Sequence, residues 1–175
     1  ILAQRRPAAS CRLSATLGSA EAMHPTPPTQ GARVAALLEA LEGDRKAMLK
    51  LGMATTGGKD APMFPLDLMA FGAVKRNLSL TSAMRLMVES WNMVCSRALL
   101  RLHIDTSLRF SAAWLVDKPH DFASKVLGGE RIDRIKDRGG KRLTDAYLVE
   151  IRSADYPWLP DVYKSLSGYV HFSGS

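Results

Sequence analysis

The segment 93–116 constrains the fold more than any other, because its apolar residues point in nearly every direction around a helical axis. Such a pattern is typical of a helix that is surrounded by other helices. In the preceding segment, 65–91, apolar residues recur at steps of three, four or seven, which predicts a second long helix with a kink near Asn77. Two long helices joined by a short turn pack antiparallel. The sequence therefore predicts an all-α fold, a helical bundle built on two long antiparallel helices with shorter flanking helices.

Shorter helices are predicted on both sides of this pair. Helical periodicity and helix-breaking residues place them over 34–52, 121–127, 144–154 and 161–171. Gly43 is a predicted weak point of the first, and Thr144 is placed to cap the third. Between the second and third, Gly139 and Gly140 stand among lysines and arginines in a charged segment. The pair resembles a phosphate-cradling turn, but no strand precedes it, so we predict a solvated turn.

The ends of the chain differ in composition from its middle. Residues 1–22 are rich in Arg, Ser and Ala and nearly free of acidic residues, which is the composition of a transit peptide. The alternative, which we favour, is that residues 1–30 are a disordered leader or an untranslated extension. Residues 31–175 are expected to form a single helical domain, truncated at its C-terminus.

Composition narrows the classes of partner and location. The formal net charge of +7 favours an acidic partner such as RNA or a nucleotide, although the same charge also suits an ordinary surface. No apolar run approaches the ~18 residues of a membrane span. Cys11 and Cys95 offer neither a disulfide framework nor metal-ligand spacing, so we expect no metal or cofactor and a cytoplasmic location.

A row of charged residues runs along the surrounded helix. Arg97, Arg101, Asp105 and Arg109 are each four residues apart, and Leu108 shares their sector, so the row is not a solvated face. A buried guanidinium requires carboxylate or carbonyl partners. Either Asp105 pairs with Arg101 or Arg109 and fixes the register of the bundle, or the two arginines bind a phosphate or carboxylate while Asp105 orients one of them.

Other candidate site residues lie on the neighbouring helices. Arg76 falls on the apolar stripe of the preceding helix, and antiparallel packing would bring it near Arg101. In the last helix Tyr163, Ser167 and His171 follow one another at steps of four. His171 is a candidate general acid or base near pH 7, or else a hydrogen-bonded core residue. Tyr163, Ser167, Arg76 and Arg109 are the predicted ligand-binding residues.

The second half of the chain resembles a known group of proteins. The resemblance covers residues 65–175 and rests on five runs: Leu100–Asp105, Leu115–Asp117, Lys136–Arg138, Thr144–Tyr147 and Ser167–Ser173. These runs look like a family of uncharacterised bacterial helical proteins that is similar to the HEPN-like group (higher eukaryote and prokaryote nucleotide-binding). The resemblance implies RNA- or nucleotide-directed function, since many members are RNA-cleaving toxins or phage-defence components.

The signature of HEPN nucleases is an arginine followed four to six residues later by a histidine. Arg97 and His103 have this spacing, but six residues turn a helix by about 240°, so the two side chains would point apart. A composite site of Arg101, Asp105 and His171 is the better geometric prediction. In it His171 would move a proton and Arg101 would stabilise the charged phosphorane in metal-independent RNA cleavage.

The second hypothesis is a non-catalytic helical scaffold or partner-binding module. Its partner would be a second copy of the chain or another protein. In that case the Arg101 and Asp105 charges are structural. The two hypotheses differ in whether Arg76, Arg101, Asp105 and His171 converge on one pocket that solvent can reach.

Overall fold

The computed structural model describes residues 28–55 and 60–171, with side chains described over 31–55 and 60–170. These residues form six α-helices: α1 (Pro28–Thr55), α2 (Pro65–Glu89), α3 (Met93–Ser111), α4 (Pro119–Leu127), α5 (Asp145–Arg152) and α6 (Leu159–His171). Within this part of the chain there is no strand, only an antiparallel bridge between Lys136 and Arg142. The all-α prediction is confirmed. No helix of the described part is long and apolar enough to cross a bilayer.

Helices α2 and α3 form the antiparallel pair that the sequence predicts. Arg76 of α2 bonds to Thr106 of α3 and Asn77 bonds to Ser107, so residues equally distant from the connecting turn meet side by side. In that turn Trp91 has a positive φ of 56°, which reverses the chain within a few residues. The Asn92 side chain then accepts a hydrogen bond from the backbone N–H of Cys95 and caps α3.

Helix α3 contributes to an apolar core against which Leu66 and Met69 of α2 also pack. Ile104 and Leu108 of α3 pack in one cluster with apolar residues of the helices that follow. The most deeply buried of these are Ala112, Ala113, Phe122, Leu143, Leu148 and Leu159. The prediction of a surrounded helix is wrong at Val94 and Leu102, which are 69% and 40% exposed. Val94 lies three residues before Arg97, which contacts the Tyr169 ring of α6.

Several predicted boundaries differ from the structure. Helix α1 runs without interruption through Gly43 and begins three residues inside the predicted leader, whose residues 1–27 lie outside the described part. Helix α3 ends at Ser111, not near residue 116, because the chain tightens into a 3-10 turn over Ala112–Trp114. The charged segment contains a short 3-10 turn, Ile132–Arg134, followed by the bridged turn 136–142. Thr144 caps α5 as predicted, by accepting from the Tyr147 N–H.

Helix α1 packs closely against α2 at Gly52. A Cβ at this position would stand 2.8 Å from Cγ1 of Val74, whereas at Gly43 the described residues leave open space around the same point. A side chain would therefore not fit at Gly52, whereas the described residues leave room for one at Gly43.

Substituting these two glycines by alanine should have opposite effects. Gly43→Ala should raise the free energy of unfolding by about 0.5–1 kcal/mol, because alanine is the better helix former. Gly52→Ala should lower it despite the same gain, because the β-branched Val74 cannot move its methyl group aside. The double variant Gly52→Ala/Val74→Ala should recover part of the loss. Urea unfolding checks all three, and stabilisation by Gly52→Ala alone would contradict the packing.

Candidate functional site

Arg101 and Asp105 form an ion pair on α3 that is largely withdrawn from water. Their side chains are one helical turn apart and only 12% and 14% exposed, and Arg101 Nη1 donates to Asp105 Oδ1. For these two residues the prediction that the row is not a solvated face is confirmed. Of the two partners that the sequence left open for Asp105, the structure selects Arg101.

Helix α6 completes this pair with two side chains that lie one turn apart. The Tyr163 ring stacks on the Arg101 guanidinium, with Cζ 3.5 Å from the ring centroid, and its hydroxyl donates to Asp105 Oδ1 at 3.1 Å. Ser167 Oγ accepts from Arg101 Nε at 3.3 Å and donates to the Tyr163 carbonyl at 2.8 Å. We call Arg101, Asp105, Tyr163 and Ser167 the Arg101 cluster. It joins two predicted catalytic residues to two predicted ligand-binding residues.

The phenol of Tyr163 is a hydrogen-bond donor at neutral pH. Burial raises the pKa of Tyr163, and the negative charge of Asp145 raises it further, while Arg101 and Arg109 act in the opposite direction. A protonated hydroxyl can donate to the Asp105 carboxylate, which an ionised one could not.

The remaining arginines of the row are also engaged within the protein. Arg97 lies over the ring of Tyr169 on α6, with Cζ 4.0 Å from the centroid. Arg109 donates Nε and Nη2 to the two carboxylate oxygens of Asp145 on α5, at 3.2 and 2.9 Å. This bidentate bond is the main reason that the pKa of Arg109 is raised. Arg109 is nevertheless 48% exposed, so the prediction that the row is not a solvated face is wrong for this residue, which lies near the C-terminal end of α3.

Three predicted site residues are not seen in the cluster: Arg109, which bonds to Asp145, Arg76 and His171. Arg76 is exposed and donates Nε to Thr106, which lies about 140° around α3 from Arg101, so the predicted proximity of the two arginines is wrong. Helical periodicity gives the face of α2 on which Arg76 lies but not the rotation of α2 against α3. His171 is the last residue of α6, and its side chain lies outside the described residues. Its participation stays a prediction.

A second polar region, which the sequence reasoning missed, lies on another face of α3. A cavity of about 640 Å³ is bordered by His103 and Ser107 of α3, by Trp114, by Arg152, and by the aromatic pair in the α5–α6 turn. That pair is Tyr156 and Trp158, whose rings meet edge to face. In the sequence, aromatic residues recur just after α3 and between α5 and α6, which could have drawn attention to them. Only the structure of the two turns shows that these residues border one cavity.

Burial lowers the pKa of His103 from its ordinary value near 6.5, so the imidazole is neutral at pH 7. Its Nδ1 is buried and has no hydrogen-bond partner among the described residues. In the same residues no group of three or more His, Cys, Asp or Glu side chains is arranged to hold a metal ion.

Comparison of the chain with protein-family models, with curated proteins and with solved structures gives no match. The resemblance to the HEPN-like group therefore stays a prediction from the sequence.

Removing only the Tyr163 hydroxyl should weaken the fold. Tyr163→Phe keeps the ring over Arg101 but removes one of the two hydrogen bonds that Asp105 Oδ1 accepts, so that Arg101 alone still donates to it. Because hydrogen bonds to charged groups are stronger than neutral ones, the change should lower the free energy of unfolding by about 1–3 kcal/mol. Tyr169→Phe is the matched control: its ring also covers an arginine of the row, and its hydroxyl has no bond to the described residues. Chemical denaturation of both variants measures the difference, and equal stability would show that the bond to Asp105 contributes nothing.

The lowered pKa of His103 predicts a specific loss of stability in mild acid. Because the folded state holds this imidazole neutral, the unfolded chain binds its proton more readily below pH ~6.5. The stabilising effect is present above that pH and is lost as the pH falls through the folded-state pKa. Urea midpoints between pH 5 and 8 should therefore fall less steeply in His103→Gln than in the unaltered protein. The same slope in both would contradict the assignment.

Proposed function

We propose that this chain is a non-catalytic helical partner-binding module in which the Arg101 cluster is structural. The observation that supports this proposal is that the charges of Arg101 and Asp105 are both bonded to groups of this chain. The Arg101 guanidinium is covered on one face by the Tyr163 ring and bonded at its edge to Asp105 and Ser167. An arginine that stabilises a transition state must instead aim its donors at the place where substrate charge develops.

The position of the cluster supports the same role. It lies between α3 and α6, and it shares that interface with the apolar core residues Ile104 and Leu166. Because the two charges are desolvated, they favour only the arrangement of the helices in which all their partners are present. A sliding of α6 along α3 by one residue would separate Tyr163 and Ser167 from the pair.

Surface composition supports the binding part of the proposal. Helix α1 exposes Leu37 and Leu51 by 61% and 64%, and α2 exposes Phe71 by 47%. Exposed apolar side chains mark a surface that another protein covers where they lie together in one patch, and these three lie on two helices that are in contact with each other. The partner would be a second copy of the chain or a different protein.

Truncating Arg101 tests the structural role. Arg101→Ala should lower the free energy of unfolding by ~3–5 kcal/mol, because it leaves the mostly buried Asp105 charge without its partner. Arg109→Ala, in the same row but 48% exposed, should change it by less than about 1 kcal/mol. Thermal and urea unfolding of both variants provide the comparison. Full stability of Arg101→Ala would contradict the proposal and would favour a site residue.

A second candidate is the RNA- or nucleotide-directed, HEPN-like function, in which the chain acts in the cytoplasm as part of a toxin or phage-defence system. Two observations favour it: the net charge of +7, and the contact of Ser167 with Arg101, because His171 follows Ser167 by one helical turn. In this proposal His171 transfers the proton and the cluster binds the phosphate.

Substitution of His171 tests the second candidate function. Metal-independent cleavage requires that RNA degradation persists in the presence of a chelator. The second candidate would be supported if this degradation disappears in His171→Ala while the melting temperature stays unchanged. His120→Ala, on α4, is the control. Degradation that is absent from the unaltered protein, or that persists in His171→Ala, would exclude this chemistry.

A further inference from the structure

Helix α1 buries little of its surface against the rest of the described chain. It is 28 residues long, packs mainly against α2, and contributes no residue to the apolar core cluster. Among its described residues 31–55 only Gly52, which has no side chain, is buried. Most of the stability of a helix in a protein comes from the packing of one of its faces. A second packing partner would therefore stabilise α1.

The half-buried residues of α1 mark the face that α2 covers. The apolar ones recur at helical spacing and precede Gly52; they are Val34, Leu38, Leu41 and Met48. The opposite face is exposed, and the residues along its middle are small: Ala32, Ala36, Ala40, Gly43 and Ala47. The distance between two packed helices depends on the side chains at their contact, so this face lets another helix come close.

Two exposed leucines lie along one edge of this open face. Leu37 and Leu51 are 61% and 64% exposed and lie seven residues before and seven residues after Asp44. Fourteen residues make about four helical turns, so the two side chains are on the same side of α1. In a two-fold symmetric pair, a residue of one copy contacts a second residue of the other copy, and the reverse contact also forms. An antiparallel pair of α1 helices would thus join Leu37 to Leu51 twice.

The charged residues along the other edge fit the same symmetry. Glu39 lies five residues before Asp44 and Lys50 six residues after it, and both are exposed. Neither forms a salt bridge with the described residues, because the salt bridges of α1 use Glu42 and Arg45. The antiparallel pair places Glu39 of each copy opposite Lys50 of the other. A parallel pair would instead place each charge opposite an identical one.

We propose that α1 docks in antiparallel orientation on α1 of a second copy of this chain, about a two-fold axis near Asp44. This inference rests on the partner-binding role proposed above and names the partner. Complementarity of charge favours an identical copy over an unrelated protein, because the helix itself supplies both members of each pair. Asp44 opposes the pairing, since it is close to the axis and approaches the Asp44 of the other copy.

The proposed contact is small. Residues 33–55 of the two copies overlap, which gives a strip about 34 Å long and one helix wide. Such a strip lies at the low end of specific protein interfaces, so the dimer should dissociate on dilution. The mass of the protein therefore has to be followed over a wide range of concentration.

The test is analytical ultracentrifugation of the whole chain at concentrations up to about 1 mM. We expect a mass that rises from one chain to two. Leu37→Ala and Leu51→Ala should each weaken dimerisation at least tenfold, because each removes apolar area at two equivalent contacts. Leu127→Ala, 52% exposed at the end of α4, is the matched control. Circular dichroism identifies any variant that does not fold.

Exchange of charges tests the antiparallel arrangement. Glu39→Lys alone or Lys50→Glu alone places like charges at both contacts and should weaken dimerisation about tenfold. The double variant Glu39→Lys/Lys50→Glu should recover it. A mixture of the two single variants should form a mixed dimer, since one copy then carries only positive and the other only negative charges at these positions. Asp44→Asn should strengthen dimerisation, because it removes the one unfavourable charge contact.

The proposal is overturned if the chain stays a monomer at every concentration, if it forms an assembly larger than a dimer, or if Leu127→Ala weakens dimerisation as much as the α1 variants do. Failure of the double variant and of the mixture to associate would also overturn it. A chain that stays monomeric, but loses stability in Arg101→Ala, would exclude a second copy as the partner and leave the proposed function standing. The two proposals can therefore fail separately.

Discussion

The buried ion pair of Arg101 with Asp105 is the interaction on which the arrangement of α3 and α6 depends. Helix α6 has 13 residues, and a helix of that length is only marginally stable by itself in water. Its apolar contribution to the core comes mainly from Leu159 and Leu166. Apolar contacts tolerate small shifts, whereas two charges of opposite sign, an aromatic face and a hydroxyl have to meet at fixed positions. The pair therefore selects one register among several that the apolar residues would allow.

The two faces of helix α3 have different roles. On the face toward α6 and α5, Arg97, Arg101 and Arg109 are all engaged by side chains of this chain. On the face toward the α5–α6 turn, His103 borders an open cavity, and its buried Nδ1 has no hydrogen-bond partner among the described residues. Polar groups that bond to one another hold a fold together, and those of the arginine row do so. The charged row of α3 suggests a catalytic site when only the sequence is considered. In the structure the arginines of this row instead bond to, or stack on, side chains of neighbouring helices and so hold those helices together.

Helical periodicity predicted the long pair α2 and α3, the capping of α5 by Thr144, and the burial of Arg101 and Asp105, because each depends on residues near one another in sequence. It also selected Tyr163 and Ser167 as candidates, although not their contacts. Arg76 shows the limit: a long side chain can leave an apolar stripe and reach water, and its position depends on how two helices rotate against each other. Trp114, Tyr156 and Trp158 were missed because tight turns place them, and turn geometry has no period that a sequence pattern would show.

The spacing of Arg97 and His103 shows why a short motif needs its helical setting. In the structure Arg97 stacks on Tyr169 of α6, whereas His103 borders the cavity next to Trp158. The two residues are six apart in an unbroken helix, so no rearrangement of their side chains alone would direct both at one phosphate. Any site that combines a histidine with an arginine of this row has to take the histidine from another helix. His103 instead borders the cavity on another side of α3, where burial lowers the pKa of its ring and keeps it neutral, so it carries no charge with which to attract a phosphate.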